Sequence, residues 1–312
     1  MQMIATESGR FRDPAVTADG EPRAHVAPVA LKTVWLNTGT LCNLTCENCY
    51  IESSPANDRL SYLTRADVHT ILEEIRSASL PVEEIGITGG EPFMNPDILD
   101  ILEDCLVAGF RVLVLTNAMR PMMKCASGLE AIHRRHGDRL TLRVSVDHFD
   151  RARHEEERGR RSWQPTIDGL QWLSQIGVRV HVAGRTRWGE SEAELRAGFQ
   201  RLFDNLDVAV NAQDPAALVL FPEMDETAEV PEITTACWGI LDVNPADIMC
   251  ASARMVVRRK GAAAPEVVAC TLLPYQEAFS LGPTLAGSLR PVALNHPHCA
   301  RFCVLGGGSC ST

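Results

Sequence analysis

The 312-residue sequence has no excess of positive charge, with 30 Lys and Arg against 40 Asp and Glu and a formal charge of −10. A nucleic-acid or anionic-membrane partner gains no support from that balance, whereas basic or small partners are easily accommodated. The first thirty residues, "MQMIATESGRFRDPAVTADGEPRAHVAPVA", contain no apolar run of signal-peptide type, and no later stretch is long enough to cross a bilayer. The expectation is a soluble cytoplasmic protein. No repeat at solenoid spacing and no long low-complexity tract occurs, which excludes a stacked-repeat architecture.

What is present is an ordinary 45% apolar content, enough for one large domain and a small one, and eleven cysteines. In a reducing compartment clustered cysteines are metal ligands or reactive thiols, and not structural disulfides. Cys42, Cys46 and Cys49 stand together early, Cys105 and Cys125 stand singly, and Cys237, Cys250, Cys270, Cys299, Cys303 and Cys310 all fall in the last quarter. That distribution suggests two metal centres.

From residue 33 onward β-branched runs alternate with helical patterns. "TVWLNTG", "EIGITGG", "RVLVLTN", "TLRVSVD", "VRVHVAGR" and "AALVLF" read as six strands of a parallel sheet. Between the first two, Thr64 and Asp67 form a capping box ahead of a helix carrying Val68, Ile71, Leu72 and Ile75 on one face. "NPDILDILEDCLVAGF" repeats the device with Asn95 as cap, and makes Cys105 a core thiol. Six β/α repeats in about 190 residues are too few for a closed eight-stranded barrel, leaving an open sheet or a partial barrel. After residue 230 the periodicity fades, and "MDETAEVPEIT" reads as a linker.

Ligands of parallel α/β sheets gather at the carboxyl ends of the strands. There this chain places a C-x3-C-x2-C loop after the first strand, "GGEP" after the second, Thr116 and Asn117 after the third, and Asp147 and His148 after the fourth. Three cysteines cannot complete a tetrahedral zinc site, but they can hold three irons of a four-iron cluster and leave the fourth open. Tandem glycines allow close backbone approach, and Glu91 offers an acceptor for an amino group.

On these residues the stretch from about 33 to 225 resembles the radical S-adenosylmethionine (SAM) superfamily. The resemblance implies an α/β fold, a (β/α)6 partial TIM barrel over residues 31–228, preceded by an extension at 1–30. It implies a [4Fe-4S] cluster on Cys42, Cys46 and Cys49 whose unique iron is chelated by SAM, with Gly89, Gly90 and Glu91 at the methionyl amino group. Asn117, Ser145 and Asp147 map to the family's further cofactor contacts, and Arg158 to a contact with the SAM carboxylate or ribose. The position before the last cysteine, often aromatic in the family, is Asn48 here, and Tyr50 follows the cysteine. The implied chemistry is reductive cleavage of SAM to a 5'-deoxyadenosyl radical that takes a hydrogen atom from a peptide or small-molecule substrate. A flavodoxin or ferredoxin would be the reductant.

The tail, 237–312, resembles the SPASM or shorter twitch domain, including "LGPTLAGSL". Cys250 and Cys270 bracket a hairpin turning at Gly261, and Cys299, Cys303 and Cys310 follow in a C-x3-C-x6-C loop. Four of these five would hold one auxiliary [4Fe-4S] cluster, with Cys237 as an outside candidate and a four-cysteine zinc knuckle as the alternative. Cys125, in "NAMRPMMKCASG", is a candidate hydrogen-atom donor as well as a plain loop thiol. In "DRARHEEERGRR" all but Arg158 reads as a solvated helical face. Arg185 and Arg187 are candidates to meet an acidic substrate or the SAM carboxylate. A non-catalytic iron-sulfur or zinc redox protein is the competing function class; it leaves GGEP, Asn117 and Asp147 without a purpose.

Overall fold

The computed structural model describes residues 9–223 and 229–308. In chain order its strands are β1 (His25–Val26), β2 (Thr33–Asn37), β3 (Glu84–Thr88), β4 (Arg111–Thr116), β5 (Leu140–Asp147), β6 (Arg179–Arg185), β7 (Leu218–Phe221), β8 (Ala253–Val257), β9 (Glu266–Val268), β10 (Ser280–Gly282) and β11 (Val292–Ala293). The helices are α1 (Arg65–Ser77), α2 (Ile98–Val107), α3 (Arg120–Lys124), α4 (Ala126–His136), α5 (Arg151–Arg158), α6 (Trp163–Gln175), α7 (Glu192–Leu206) and α8 (Cys237–Ile240). The six anticipated strands are β2 to β7, hydrogen-bonded side by side and all parallel. They give the expected α/β fold with a mostly parallel sheet.

Local signals explain most of the helix starts. Thr64 and Asp67 close a reciprocal capping box at α1, and Ser191 with Glu194 does so at α7. At α2 the expected cap is displaced. Its N-cap is Asp97, while Asn95 is buried and donates through Nδ2 to the carbonyls of Thr38 and Leu63 at 3.2 and 2.8 Å. Asn95 therefore ties the β3–α2 turn to the loops around β2. Cys105 lies fully buried on the core face of α2, as expected.

Strand alternation divides the apolar residues between two cores. Val34, Leu36, Ile85, Ile87, Val112, Val114, Leu142 and Val144 pack under the helices. Trp35, Leu113 and Met255 face the other side, where residues from both ends of the chain cover the sheet. Gly86, on β3 beside Trp35, has no room for a side chain: a Cβ there would lie 2.4 Å from the buried indole.

The C-terminal part extends the same sheet, whose order is β10-β9-β8-β2-β3-β4-β5-β6-β7. β8 adds in parallel to β2, and β8 and β9 form the anticipated antiparallel hairpin, with Gly261 at φ +80° in its turn. The start of the chain also belongs to this end of the molecule. β1 pairs with β11, and Arg23, 2% exposed, donates to Glu232 at 2.5 Å and to the carbonyl oxygens of Asp13 and Val16.

The Trp35–Gly86 contact yields a direct expectation. Gly86→Ala should destabilise the protein by about 1–3 kcal/mol, because one methyl must be forced into a packed interior. Equilibrium urea unfolding measures this, and a midpoint equal to that of the parent would show that the indole can move aside.

Candidate metal and cofactor site

The three-cysteine loop leaves β2 at its carboxyl end and is fixed from four directions. Upstream, Thr38 N–H donates to Thr88 O at 2.8 Å, Gly90 N–H to Gly39 O at 2.7 Å and Glu91 N–H to Leu41 O at 3.1 Å, so the GGE turn runs alongside residues 38–41. This contact is what demands the glycines. A Cβ on Gly90 would lie 2.2 Å from Leu41 O, and one on Gly89, which sits at φ +149°, 2.5 Å from Gly39 O. The close approach anticipated toward a ligand is made here to the cysteine loop itself.

Within the loop, the charge of Cys46 acts to raise the Cys42 thiol and that of Cys49 to raise the Cys46 thiol. Leu44 N–H donates to Cys42 Sγ at 3.4 Å and Ser53 N–H to Cys49 Sγ at 3.3 Å. Burial pushes the Cys42 thiol up to about 12 and raises that of Cys46, while the nearby Arg158 guanidinium pulls both down. Neutral when empty, such thiols become thiolates on binding metal, with amide donors already aimed at two of the sulfurs. These features fit an iron-sulfur cluster held by three cysteines. Among the described residues no three His, Cys, Asp or Glu side chains stand close enough to hold a single metal ion.

Glu91 is 2% exposed and receives Thr116 Oγ1 at 2.8 Å, Asn117 N–H at 2.9 Å and Phe93 N–H at 3.2 Å. It braces the end of β3 against the end of β4; burial pushes its carboxyl up to about 6 despite those donors. Asn117 in turn donates through Nδ2 to Asn43 Oδ1 at 3.0 Å, reaching the cysteine loop from β4.

Asp147 ends β5 with a left-handed φ of +59°. Burial alone would raise its carboxyl, but Arg158 and Arg185 outweigh it and hold the group below its usual range. Arg158 Nε lies 2.5 Å from Asp147 Oδ2, and Arg185 Nε 3.5 Å from Oδ1. Arg187 continues the network to Glu157 at 2.7 Å. The rim arginines, read from sequence as candidates for an acidic substrate, are thus paired to carboxylates of the chain.

The sequence reading of α5 as solvated apart from Arg158 is corrected. His154 is fully buried and Glu157 1% exposed. Both lie on the face of Arg158 at i, i+3 and i+4 spacing, the one sequence signal that could have placed them inside. Glu157 and Asn43 are the site residues the sequence reading missed, and Asn48, which it named, has a partner in Glu157 that it did not foresee.

Of the other candidates, Ser145 is half-buried two residues before Asp147, opposite Ala183 of β6. Tyr50 is half-buried against the second core. Cys125 joins α3 to α4, half-buried against the helix-side core, its thiol raised by burial and by the charge of Glu91. His148 is buried, with its Nε2 3.1 Å from Glu190.

In the C-terminal part, the hairpin brings Cys250 and Cys270 to its open end, and Cys299 joins them. Burial raises the Cys299 thiol, and the charges of Cys270 and Cys250 act in the same direction. Cys303 stands four residues on in the π-helical segment Cys299–Leu305. Cys237 is half-buried, with the backbone N–H of Thr234 donating to its sulfur. Cys310 lies outside the described residues.

Residues 36–186 match the model of the Radical SAM superfamily. The chain carries a radical SAM domain, and such a domain implies a [4Fe-4S] cluster that binds SAM. Among curated relatives, the antilisterial bacteriocin subtilosin biosynthesis protein AlbA of Bacillus subtilis is 30% identical over 148 residues, covering 46% of this chain and 30% of AlbA. GTP 3',8-cyclase of Microcystis aeruginosa is 27% identical over 166 residues, covering 49% and 47%. The chain thus spans less than half the length of either relative. Among solved structures, Streptococcus suis SuiB bound to S-adenosylmethionine superposes with a TM-score of 0.59 at 13% identity, covering 81% of this chain and 63% of that one. Native anSMEcpe with bound AdoMet gives 0.57 at 11% identity, covering 82% and 79%. At such identities these two establish the shared fold, which reaches beyond the family-matched residues. No described helix is long and apolar enough to cross a membrane.

His154 links this site to pH. Burial first, and the Arg158 charge second, depress its ring to about 4 from 6.5. A folded-state value below the unfolded one means stabilisation that is complete above about pH 6.5 and is lost as pH falls toward 4. Relative to His154→Gln, the parent should therefore lose about 2 kcal/mol more stability between pH 7 and 4.5. Urea titrations of both proteins at the two pH values decide this; equal losses would count against it.

Proposed function

We propose that this chain is a radical SAM enzyme in which Cys42, Cys46 and Cys49 hold the SAM-binding [4Fe-4S] cluster. The observation that carries the reading is the convergence of three thiols, two with backbone N–H donors on sulfur, at the strand ends that also present Glu91, Asn117 and Asp147. When bound and reduced, the cluster supplies the electron that splits SAM into methionine and a 5'-deoxyadenosyl radical, which removes a hydrogen atom from the substrate. The chain's own part is to hold the three ligands and keep one iron open. It also surrounds the cofactor with Gly89, Gly90, Glu91, Asn117, Ser145, Asp147 and Arg158, with Tyr50 beside the cysteine loop. Cys125, half-buried and under the charge of Glu91, is the hydrogen-atom donor in this reading if the substrate radical is reduced on the enzyme.

Residues 31–228 form the catalytic part and 237–312 the auxiliary part, following the extension at 1–30. In the auxiliary part, Cys250, Cys270 and Cys299 with Cys303 or Cys310 hold a second [4Fe-4S] cluster that assists oxidation, electron transfer or substrate binding. The charges of Cys270 and Cys250 that act on the Cys299 thiol support this assignment. The substrate we favour is a ribosomally made peptide, since AlbA is named for bacteriocin biosynthesis and SuiB, of the same fold at a TM-score of 0.50, is described bound to a precursor peptide. A small metabolite is the second reading, supported by the likeness to GTP 3',8-cyclase. A flavodoxin or ferredoxin supplies electrons in the cytoplasm.

Anaerobic reconstitution tests the assignment. The parent should bind about eight irons and release 5'-deoxyadenosine from SAM with dithionite, whereas Cys42, Cys46 and Cys49 all changed to Ala should leave about four irons and no cleavage. The converse triple change at Cys250, Cys270 and Cys299 should also leave about four irons, now with a dithionite-reducible cluster that still binds SAM. Zinc at both sites, or full SAM cleavage by the first variant, would refute it.

A further inference from the structure

The segment between Cys46 and Cys49 is gripped by a single residue of α5. Glu157 Oε1 accepts the backbone N–H of Asn48 at 3.1 Å and Oε2 its side-chain Nδ2 at 2.8 Å. The backbone carbonyl of Glu157 accepts Glu47 N–H at 2.9 Å. Arg185 Nη2 donates to Asn48 O at 3.2 Å, so the backbone N–H, the carbonyl and the side-chain amide of Asn48 are all engaged. The carboxylate itself, 1% exposed, is held by Arg187 at 2.7 Å and Arg185 at 3.6 Å.

We propose that Glu157 is the positioning residue of the Cys42, Cys46 and Cys49 centre, locking the two residues inside the C-x2-C pair through Asn48. The inference rests on the cluster assignment above. Arginine alone would satisfy a buried carboxylate; here each oxygen is also spent on an amide of the metal loop, and the charged acceptor makes those bonds strong. A short loop that must hold two thiols in one geometry, with no fourth ligand to close it, depends on outer partners to suppress its conformational freedom. Asn48 occupies the position where the resembled family often carries an aromatic side chain. In this chain that position serves the loop's own scaffold.

The full chain tests this with Glu157→Ala, Glu157→Gln, Asn48→Ala and the double Ala variant, in a background with Cys250, Cys270 and Cys299 changed to Ala so that only the first centre reports. Glu157→Ala should speed iron loss to a chelator by about tenfold or more and broaden the EPR signal of the reduced centre. Glu157→Gln, which keeps an acceptor oxygen for Asn48, should recover most of the loss, and the double variant should be no worse than Glu157→Ala alone. Hydrogen exchange at the Asn48 amide in metal-free protein should rise about tenfold in Glu157→Ala, since one charge-assisted bond is removed. Parental exchange, iron retention and EPR line shape in Glu157→Ala would overturn the proposal, as would additive losses in the double variant. Should Glu157→Ala not fold, Asn48→Ala carries the same comparison. A parent chain that takes up no iron at these cysteines would sink the cluster assignment, while the metal-free exchange would still decide on the lock.

Discussion

Everything at the rim depends on a chain of alternating charges, the buried carboxylates Asp147 and Glu157 between the half-buried arginines Arg158, Arg185 and Arg187, joined in the order Arg158, Asp147, Arg185, Glu157, Arg187 at 2.5, 3.5, 3.6 and 2.7 Å. None of these groups could be left inside alone. Desolvating one charge costs several kcal/mol, and only alternation of sign with full hydrogen bonding offsets it. The alternation joins the end of β5, the helix that follows it and the end of β6 into one unit. Glu157 then passes that rigidity to the cysteine loop through Asn48.

The same loop is fixed independently from its other side. The GGE turn pairs with residues 38–41 at a distance only glycine permits, and Asn117 reaches Asn43 from β4. Downstream, the C-terminal part takes hold: Tyr275 donates to Ile51 O at 2.8 Å, Arg59 stacks 3.4 Å over its ring, and Ser61 N–H donates to Arg258 O at 2.7 Å. Between Cys42 and Ser53 the loop has no helix or strand of its own to order it. The protein orders it by contacts from β3, β4, α5 and the β8–β9 end of the sheet.

This arrangement also explains why both ends of the chain gather on one face. The crossover helices α1, α2, α4, α6 and α7 pack on the other face, so Trp35, Leu113 and Met255 need other apolar partners, and residues from the C-terminal part and β1 provide them. Addition of β8 to β2 places the second cysteine group on the same sheet as the first. The two groups are parts of one hydrogen-bonded scaffold, with β8 beside the strand that launches the first cysteine loop.

Much of this was legible in the amino-acid order. Period-two β-branched runs marked β2 to β7, Thr64 and Asp67 marked a helix start, and the cysteine spacing with GGEP marked the chemistry, because each is a signal written within a few neighbouring residues. Gly261 marked a hairpin for the same reason. The burial of His154 and Glu157 was marked only by the face they share with Arg158, a weak signal since a helix so rich in charge is inside only if other elements supply Arg185, Arg187 and Asn48 to meet it. Nor was the role of Asn95, whose local capping signal yielded to more distant carbonyls at Thr38 and Leu63, or the pairing of β8 with β2 across more than 200 residues. The sequence by itself determined which residues could carry the centre and which strands would present them. Only the tertiary structure decided which charges stand inside and what they grip, because burial and pairing are properties of neighbours that the chain brings together from far apart.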